Sequence, residues 1–251
     1  MKKISFICCY TKENLLYELK KSTACLSDYE IEWIAIDNRN DRFTSAASAL
    51  NYGFRESSFN IVVFLHQDIV LYDQLTIDRV VDAAEQGNIV GFAGRRANGG
   101  EMVSTLITGE DEKFTYAFDF GDSDRIKVST CDECFMAMSR ETFELLGAFD
   151  EKNFDGWHFY GVDFSLRAAK KHIPVLVVRA NAWHRSRGNW DKNFNKYKNI
   201  LRKKYKKEYK IIHYPCGWTY TSTIKYYGNQ LLRSIIGYPS SGKKNRLYHR
   251  L

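Results

Sequence analysis

Proline, cysteine and long apolar runs are scarce in this sequence of 251 residues. Three prolines exclude a proline-rich linker or a collagen-like segment. No run of eighteen apolar residues occurs, so we expect no membrane-spanning helix. Six cysteines without regular spacing do not form a disulfide scaffold, and we expect reduced thiols in a cytoplasmic protein. Residues 1–10 have only a short apolar stretch and no small-residue cleavage site, which is typical of a first strand rather than a signal peptide.

Basic residues are concentrated near the C-terminus. Residues 191–251 hold 15 of the 37 basic residues but only 2 of the 30 acidic ones, so residues 1–190 carry a net charge of −6 within a total of +7. A basic segment beside an acidic body indicates an anionic partner, which is either a lipid surface or a nucleic acid. The plainer alternative is a solvated helix face.

The spacing of apolar residues predicts the fold. Strands and helices alternate in the first 93 residues, which predicts an α/β fold with a mostly parallel central sheet flanked by helices. Hairpins and loops are expected over 95–128. We expect one domain over 1–190, and over 191–251 a basic, amphipathic, helical C-terminal extension. The predicted strands are 3–10, 31–36, 61–65, 89–93, 134–138 and 175–178, and the predicted helices are 15–26, 44–56, 74–86, 140–146 and 163–171.

Polar residues follow two of the predicted strands. Asp37-Asn38-Arg39 ends the second strand and His66-Gln67-Asp68 ends the third. Ligands of open parallel sheets bind beyond the carboxyl ends of the strands. Neither a Gly-x-Gly-x-x-Gly fingerprint nor a P-loop is present, which argues against those modes of nucleotide binding. Carboxylates at this edge suit Mg²⁺ or Mn²⁺, so the sequence predicts a nucleotide held through a divalent metal.

Six segments of the sequence form a recognisable series, which comprises residues 4–11, 34–38, 49–53, 63–69, 154–167 and 183–186. Each segment alone is a weak signal, but their order and spacing over about residues 3–190 are more specific. This order resembles that of the family-two glycosyltransferases of the GT-A fold, and within them the StrF-type domains, a group that includes majastridin.

The resemblance implies a role for each matched residue. Asp68 would bind a metal that bridges a diphosphate, with His184 as a further ligand and His66 in the place of another. Asp163 would be the general base that takes the proton of an acceptor hydroxyl. Residues near the first three strand ends would bind the nucleotide, and these are Tyr10, Thr11, Asp37, Asn38, Asn51 and Gln67.

Residues around Asp163 are candidates for acceptor binding. Aromatic rings stack on the apolar faces of sugars, which suggests a platform at Trp157 and His158. Asp132 and Glu133 are also expected to face the acceptor.

Two residues depart from the family pattern. His66 stands where relatives usually have the first carboxylate of an Asp-x-Asp element, which would weaken metal binding. Cys9 stands where many relatives have proline.

Each functional assignment has a structural alternative. Asp68 or Asp163 could cap a helix. His184 could be a surface histidine, and Trp157 could belong to the core. Cys131-x-x-Cys134 is a weak zinc or redox pattern, since no second pair accompanies it, and Cys134 is more readily a strand residue.

Taken with the resemblance, the sequence predicts a metal-dependent inverting glycosyltransferase. The donor would be a nucleotide-sugar, with UDP as the default, and the cofactor Mn²⁺ or Mg²⁺. The acceptor would be a glycan or lipid-linked saccharide in surface polysaccharide assembly. Residues 191–251 would rest on an anionic membrane at its inner face. One alternative is a catalytically impaired nucleotide-binding protein of the same fold. Another is a nucleic-acid binder through the basic segment, for which no recognised motif exists.

Overall fold

Strands and helices alternate through the first half of the chain in a computed structural model, which describes residues 1–109, 112, 114–186 and 191–235. The helices are α1 (Glu13–Ser22), α2 (Ala46–Glu56), α3 (Gln74–Glu85), α4 (Arg140–Leu145), α5 (Tyr160–Lys170), α6 (Phe194–Lys204) and α7 (Thr223–Ile235), with a 3₁₀ turn at Thr23–Cys25. The strands are β1 (Lys2–Tyr10), β2 (Tyr29–Asp37), β3 (Ile61–Leu65), β4 (Ile69–Leu71), β5 (Ile89–Gly91), β6 (Ala93–Arg96), β7 (Gly99–Ser104), β8 (Ile107–Thr108), β9 (Phe114–Thr115), β10 (Arg125–Val128), β11 (Thr130–Cys131), β12 (Phe135–Ser139), β13 (Val175–Val178), β14 (Ala182–His184), β15 (Ile211–Tyr214) and β16 (Gly217–Tyr220).

The central sheet has seven strands in the order β10-β13-β5-β12-β3-β1-β2. β1, β2, β3, β5 and β13 run in one direction, whereas β12 and β10 run against their neighbours. The prediction of a mostly parallel sheet flanked by helices is therefore confirmed. The predicted strand at 89–93 is shorter than expected, because Ala93 leaves the central sheet and begins β6 in a second sheet.

The sheet is apolar on both faces, which explains the unbroken apolar runs in its strands. In β3, Val62 and Phe64 join one buried cluster, while Ile61, Val63 and Leu65 join the other. Successive side chains of a strand point to opposite faces, so the two clusters are the two layers between sheet and helices. β3 is thereby fixed in the centre of the molecule, and its carboxyl end supplies the residues 66–68.

The starts of α2 and α3 are set by side-chain caps. The side chain of Ser45 accepts a hydrogen bond from the backbone N–H of Ser48 and begins α2. Asp73 does the same for Thr76 and begins α3. Asp68 therefore does not cap the helix that follows it, and this alternative for Asp68 is excluded.

The segment after residue 190 continues the same core. Tyr197 and Leu201 of α6, and Tyr205 directly after it, lie in the cluster that also holds residues of α2 and α5. The hairpin β15–β16 adds Ile212 and Tyr214 to it. The packing thus does not separate the predicted domain 1–190 from the predicted extension 191–251. A functional boundary at residue 190 stays a prediction. Within residues 1–109, 112, 114–186 and 191–235, no helix has the length and apolar character needed to cross a membrane.

Candidate active site

The pairing of two short strands joins distant parts of the chain at the carboxyl end of β3. β4 begins one residue after Asp68 and pairs antiparallel with β14, so that Ile69 lies opposite His184. The backbone N–H of His66 donates to the carbonyl of Cys134 at 2.9 Å. His184 is thereby held beside His66 and Asp68, although 118 residues separate the two histidines in sequence.

The three side chains form a compact cluster. The Nδ1 atom of His66 lies 3.4 Å from Nε2 of His184, and the same Nε2 lies 3.4 Å from Oδ1 of Asp68. One ligand atom from each residue lies within 4.8 Å of the others. His184 is buried, which excludes the alternative of an ordinary surface histidine. This is the group that the resemblance implied for a metal.

Backbone and hydroxyl groups fix the orientation of the cluster. Ser186 donates its backbone N–H to Oδ2 of Asp68 at 3.1 Å, and its Oγ lies 3.0 Å from Nε2 of His184. The backbone N–H of Arg185 donates to the carbonyl of Asp68. Ser186 is a site residue that the sequence reasoning missed. Its position two residues after His184, within a segment already singled out, was the available signal.

Burial and mutual charge shift the titration of all three groups. Burial alone would raise the pKa of Asp68, but the hydrogen bond and charge of His184 hold that pKa well below its usual range. Burial likewise opposes the charged form of His184, yet the bond to Asp68 raises its pKa. The pKa of His66 is lowered by burial and by the neighbouring charge of His184. The cluster therefore holds an ionised Asp68 and a neutral His66, which are forms that bind cations, whereas the raised pKa of His184 favours an imidazolium that must lose its proton before it can bind a metal.

The donor set fits a divalent metal. Two imidazole nitrogens and one carboxylate converge, and such mixed sites suit transition metals better than Mg²⁺. The replacement of a carboxylate by His66 changes the kind of ion favoured, and it does not break up the group of ligands.

The carboxyl ends of β1 and β2 lie beside this cluster. Tyr10 pairs with Asp37 in the parallel register of the two strands. The side-chain oxygen of Gln67 accepts from the backbone N–H of Thr11 at 3.0 Å, and its amide donates to the Thr11 hydroxyl at 3.2 Å. The structure thus brings Tyr10, Thr11, Asp37 and Gln67 to the sheet edge that carries Asp68.

The carboxylate of Asp37 is paired with the guanidinium of Arg39. The Nε atom of Arg39 lies 3.0 and 3.1 Å from the two oxygens of Asp37, and the guanidinium also pairs with Glu13. These hydrogen bonds lower the pKa of Asp37 to about 2. A ligand that bonds to Asp37 must displace or share Arg39, which the sequence reasoning did not foresee.

Two predicted nucleotide-binding residues have structural partners. Asn38 is buried, and its side chain bonds to both the N–H and the carbonyl of Phe43. Asn51 is buried on α2 and makes the same pair of bonds to Phe149. Both side chains shape loops near the site, and their nucleotide contacts stay predictions.

Asp132 and Glu133 lie on the turn between β11 and β12, at the same sheet edge. Oε1 of Glu133 accepts from the backbone N–H of Gly161 at 3.0 Å, at the start of α5. Burial and the neighbouring charge of Asp132 raise the pKa of Glu133 to about 8. Asp132 accepts from the N–H of Cys134, and its charge reaches both His66 and His184. The turn thus carries a carboxyl group with a raised pKa next to one whose charge acts on both histidines of the cluster.

Asp163 is enclosed by cations. Its side chain is 0% exposed, with Arg167 Nε at 3.0 Å and Lys204 Nζ at 2.6 Å. The Tyr205 hydroxyl donates to it at 2.9 Å. Phe159 is the N-cap of α5, so Asp163 does not cap that helix. The base role stays a prediction, but the burial of this carboxylate argues against it, and its partners indicate that it joins α5 to α6.

The predicted acceptor platform is a tethered loop. Trp157 is 42% exposed, which excludes the core alternative. Nε2 of His158 lies 3.1 Å from Oδ1 of Asp191, and the carbonyl of Gly156 accepts from the N–H of Ala46 at 3.0 Å. An exposed indole on an anchored loop can present a flat surface to a sugar ring.

Gly156 is required where this loop meets α6. A Cβ at this position would lie 2.2 Å from the hydroxyl oxygen of Tyr197, whose ring is buried. We expect G156A to destabilise the protein by about 1–3 kcal/mol, because either Tyr197 or the loop must move. Chemical denaturation measures this change. G228A is the matched control, since nothing lies within 4 Å of a Cβ there, and it should leave the stability equal or slightly higher. Equal stability of G156A and wild type would contradict the close contact.

Cys131 and Cys134 are buried free thiols, and Sγ of Cys131 donates to the carbonyl of Leu176. Burial raises the pKa of both, which disfavours the thiolate needed for zinc or redox chemistry. Cys131 ends β11 and Cys134 precedes β12. Both are therefore packing residues.

Comparison with known families identifies the chain. The sequence model of a group described as "Glycosyltransferase like family" matches residues 5–209. The chain belongs to this glycosyltransferase-like family. The matched range ends inside the segment after α6, in agreement with the shared core of α5 and α6. A curated relative of this glycosyltransferase-like chain, "ATP synthase subunits region ORF 6" of Fuscovulum blasticum, is 25% identical over 202 residues, covering 74% of this chain and 76% of the relative.

Solved structures confirm the GT-A fold expected for a family member. The crystal structure of GalNAc-T7 with UDP, GalNAc and Mn²⁺ matches with a TM-score of 0.57 at 14% identity, over 80% of this chain and 48% of that one. TarS residues 1–349 of S. aureus in complex with UDP-GlcNAc matches with a TM-score of 0.51 at 12% identity, over 80% of this chain and 66% of that one. The chain thus spans about half the length of GalNAc-T7 and just under two thirds of that TarS fragment.

Proposed function

We propose that the protein transfers a sugar from a UDP-sugar to a saccharide or lipid-linked saccharide, with metal assistance and inversion at the anomeric carbon. The observation that carries the proposal is the convergence of His66, Asp68 and His184 at the carboxyl end of β3 in a chain of this family. The UDP and GalNAc in the GalNAc-T7 complex and the UDP-GlcNAc in the TarS complex support the choice of donor class.

The residues of the cluster would hold the cation by their side-chain nitrogens and one carboxylate oxygen. A divalent ion there would supply charge to stabilise the departing diphosphate. Ser186 keeps Asp68 and His184 oriented toward each other, and Arg185 ties the segment to Glu18 on α1. Asp37, Thr11 and Gln67 form the adjoining edge, where we place the nucleoside.

The acceptor hydroxyl must lose its proton as it attacks the anomeric carbon. Sequence resemblance assigns that proton to Asp163, whose oxygens are already bonded to Arg167 and Lys204. Asp132 and Glu133 are half-buried carboxyl groups at the same sheet edge, and the charge of Asp132 acts on both histidines of the cluster, so we place the base on this turn instead. Trp157 and His158 would hold the acceptor ring. A direct displacement on one face of the sugar gives inversion.

Ligand-induced stabilisation tests the donor and metal together. We expect UDP with Mn²⁺ to raise the melting temperature by on the order of 5–10 °C at a UDP concentration about 100 times its Kd. The reason is that only the folded protein brings the nucleotide-binding and metal-binding residues together. UDP with Mg²⁺ should give a smaller shift, since imidazole ligands favour Mn²⁺ over Mg²⁺. Differential scanning fluorimetry measures both, with UDP alone and Mn²⁺ alone as references. No shift at millimolar UDP with either ion would contradict the proposal.

The buried state of Asp163 favours one alternative, a nucleotide-sugar-binding protein that has lost transfer. Such a protein would give the same thermal shift but neither hydrolyse the donor nor modify an acceptor. Mass spectrometry of the donor after incubation with a panel of lipid-linked and free saccharides separates the two. The proposal also places the protein at the inner face of a membrane.

A further inference from the structure

In the described part of the chain, the Tyr226 side of helix α7 contacts α6. The ring of Tyr226 lies 3.5 Å from the guanidinium carbon of Arg202 on α6 and 5.7 Å from Lys198 Nζ. Arg202 is buried, and it donates to the carbonyls of Tyr220 and Ser222, just before α7. The start of α7 is therefore fixed in orientation relative to α6.

The opposite face of α7 is apolar and exposed. Ile224 is 86% exposed, Tyr227 60% and Leu231 63%. These positions are spaced by three and four residues and so lie on one side of a helix. With Leu232, α7 holds four of the eleven exposed large apolar side chains in the described part of the chain, within nine residues. The other seven exposed large apolar side chains are spread along residues 1–157. We name Ile224, Tyr227, Leu231 and Leu232 the α7 face.

Basic side chains accompany the α7 face. Lys203, Lys206, Lys207 and Lys210 are exposed at the end of α6 and in the turn after it. Lys225 is exposed on α7 itself, between Ile224 and Tyr226. The 61 residues from 191 contain only two acidic ones, Asp191 and Glu208. The part of the chain that carries the α7 face is thus strongly cationic, with Lys225 exposed on the helix itself.

We propose that the α7 face docks on an anionic phospholipid surface, with the helix lying in the headgroup layer. An amphipathic helix with basic flanks binds lipid by burying its apolar side and by attraction to anionic headgroups. Tyrosine is favoured at the boundary between water and lipid, where Tyr227 would lie. At about 1.5 Å per residue the helix is roughly 20 Å long, which is too short to span but enough to lie flat.

The charge pattern selects lipid over other partners. A nucleic acid offers phosphate to the lysines but no apolar surface to cover Ile224. A protein partner would need an apolar groove inside an acidic patch, whereas an anionic bilayer offers apolar and acidic layers together. This inference rests on the proposed function only in that a lipid-linked acceptor would bring the enzyme to the same surface.

Vesicle co-sedimentation with the full chain tests the proposal without donor or acceptor. The probes are phosphatidylcholine vesicles and the same vesicles containing about one third phosphatidylglycerol. The variant I224Q/Y227Q removes two apolar side chains without changing the charge. L75Q/L145Q is the matched control, because Leu75 and Leu145 are 54% and 56% exposed on α3 and α4. K203Q/K206Q/K207Q tests the contribution of charge.

We expect wild type and L75Q/L145Q to bind the anionic vesicles equally and the neutral ones at least about tenfold more weakly. I224Q/Y227Q and the triple lysine variant should each bind the anionic vesicles at least about tenfold more weakly than wild type. The proposal is overturned if wild type does not bind anionic vesicles, or if I224Q/Y227Q binds them as well as wild type does. It is also overturned if wild type binds a random RNA oligonucleotide more tightly than the vesicles and I224Q/Y227Q keeps that RNA binding. Thermal shifts with UDP and Mn²⁺ should be the same for all four proteins, so loss of the proposed function is scored separately.

Discussion

Substituting Asp68 with asparagine should lower the rate of sugar transfer by about a thousandfold or more. Asp68 is the single carboxylate of the cluster; its charge would hold the cation, and it raises the pKa of His184. A metal ion at such a site contributes several kcal/mol to a developing anionic leaving group, and about 4 kcal/mol corresponds to a thousandfold. Initial rates with UDP-sugar donor measure the effect, and the thermal shift with UDP and Mn²⁺ should be lost in parallel.

The matched control for Asp68 is D82N. Asp82 is an exposed carboxylate on α3 that pairs with Arg125, so its substitution removes the same charge from the outer surface. It should leave both rate and thermal shift unchanged. Full transfer activity of D68N in the presence of chelator would remove the cluster from the mechanism.

Asp163→Asn should destabilise the folded state by about 3–5 kcal/mol, because it leaves the charges of Arg167 and Lys204 next to a neutral amide in a buried place. For a chain of this length that corresponds to a fall in melting temperature on the order of 10 °C. Thermal and urea denaturation measure it. An unchanged melting temperature would show that the ion pairs do not hold α5 to α6.

Glu133→Gln tests whether Glu133, rather than Asp163, is the catalytic base. If Glu133 accepts the acceptor proton, E133Q should reduce transfer by on the order of 10²–10⁴-fold while the thermal shift with UDP and Mn²⁺ persists. Wild-type transfer should rise with pH toward about 8, because the base must be ionised and its pKa is raised to that value. Measured at low temperature, folded D163N should keep a larger share of the wild-type rate than E133Q. The opposite order would return the base role to Asp163.

Local sequence was sufficient for the strands in which burial is uniform. β3 and β13 have the predicted bounds, since an unbroken apolar run between polar ends leaves no other register. The direction of β12 was not predictable in this way. Its apolar run shows that it is buried, but its antiparallel insertion between β3 and β5 depends on the path of the chain through residues 95–128.

The convergence of His66, Asp68 and His184 was predictable from residue order together with resemblance, whereas the hydrogen-bond partners of individual side chains were not. The proximity of His184 to Asp68 follows from the pairing of β4 with β14, two three-residue strands without a strong pattern. The enclosure of Asp163 depends on Lys204 and Tyr205, which lie about 40 residues further along the chain in a segment that charge alone suggested was a separate extension. Arg39 was visible beside Asp37, but its bond to that carboxylate is a matter of side-chain conformation.

The span of the cluster has a consequence for how the chain folds. Since His66 and His184 are 118 residues apart, a cation held by both would act as a removable cross-link that closes a very large loop. Such a link forms late, because nearly three quarters of the polypeptide must be synthesised before the imidazole of His184 is available. The ion would then report completed assembly as well as serve chemistry, and its affinity would include the free energy of ordering β4 against β14.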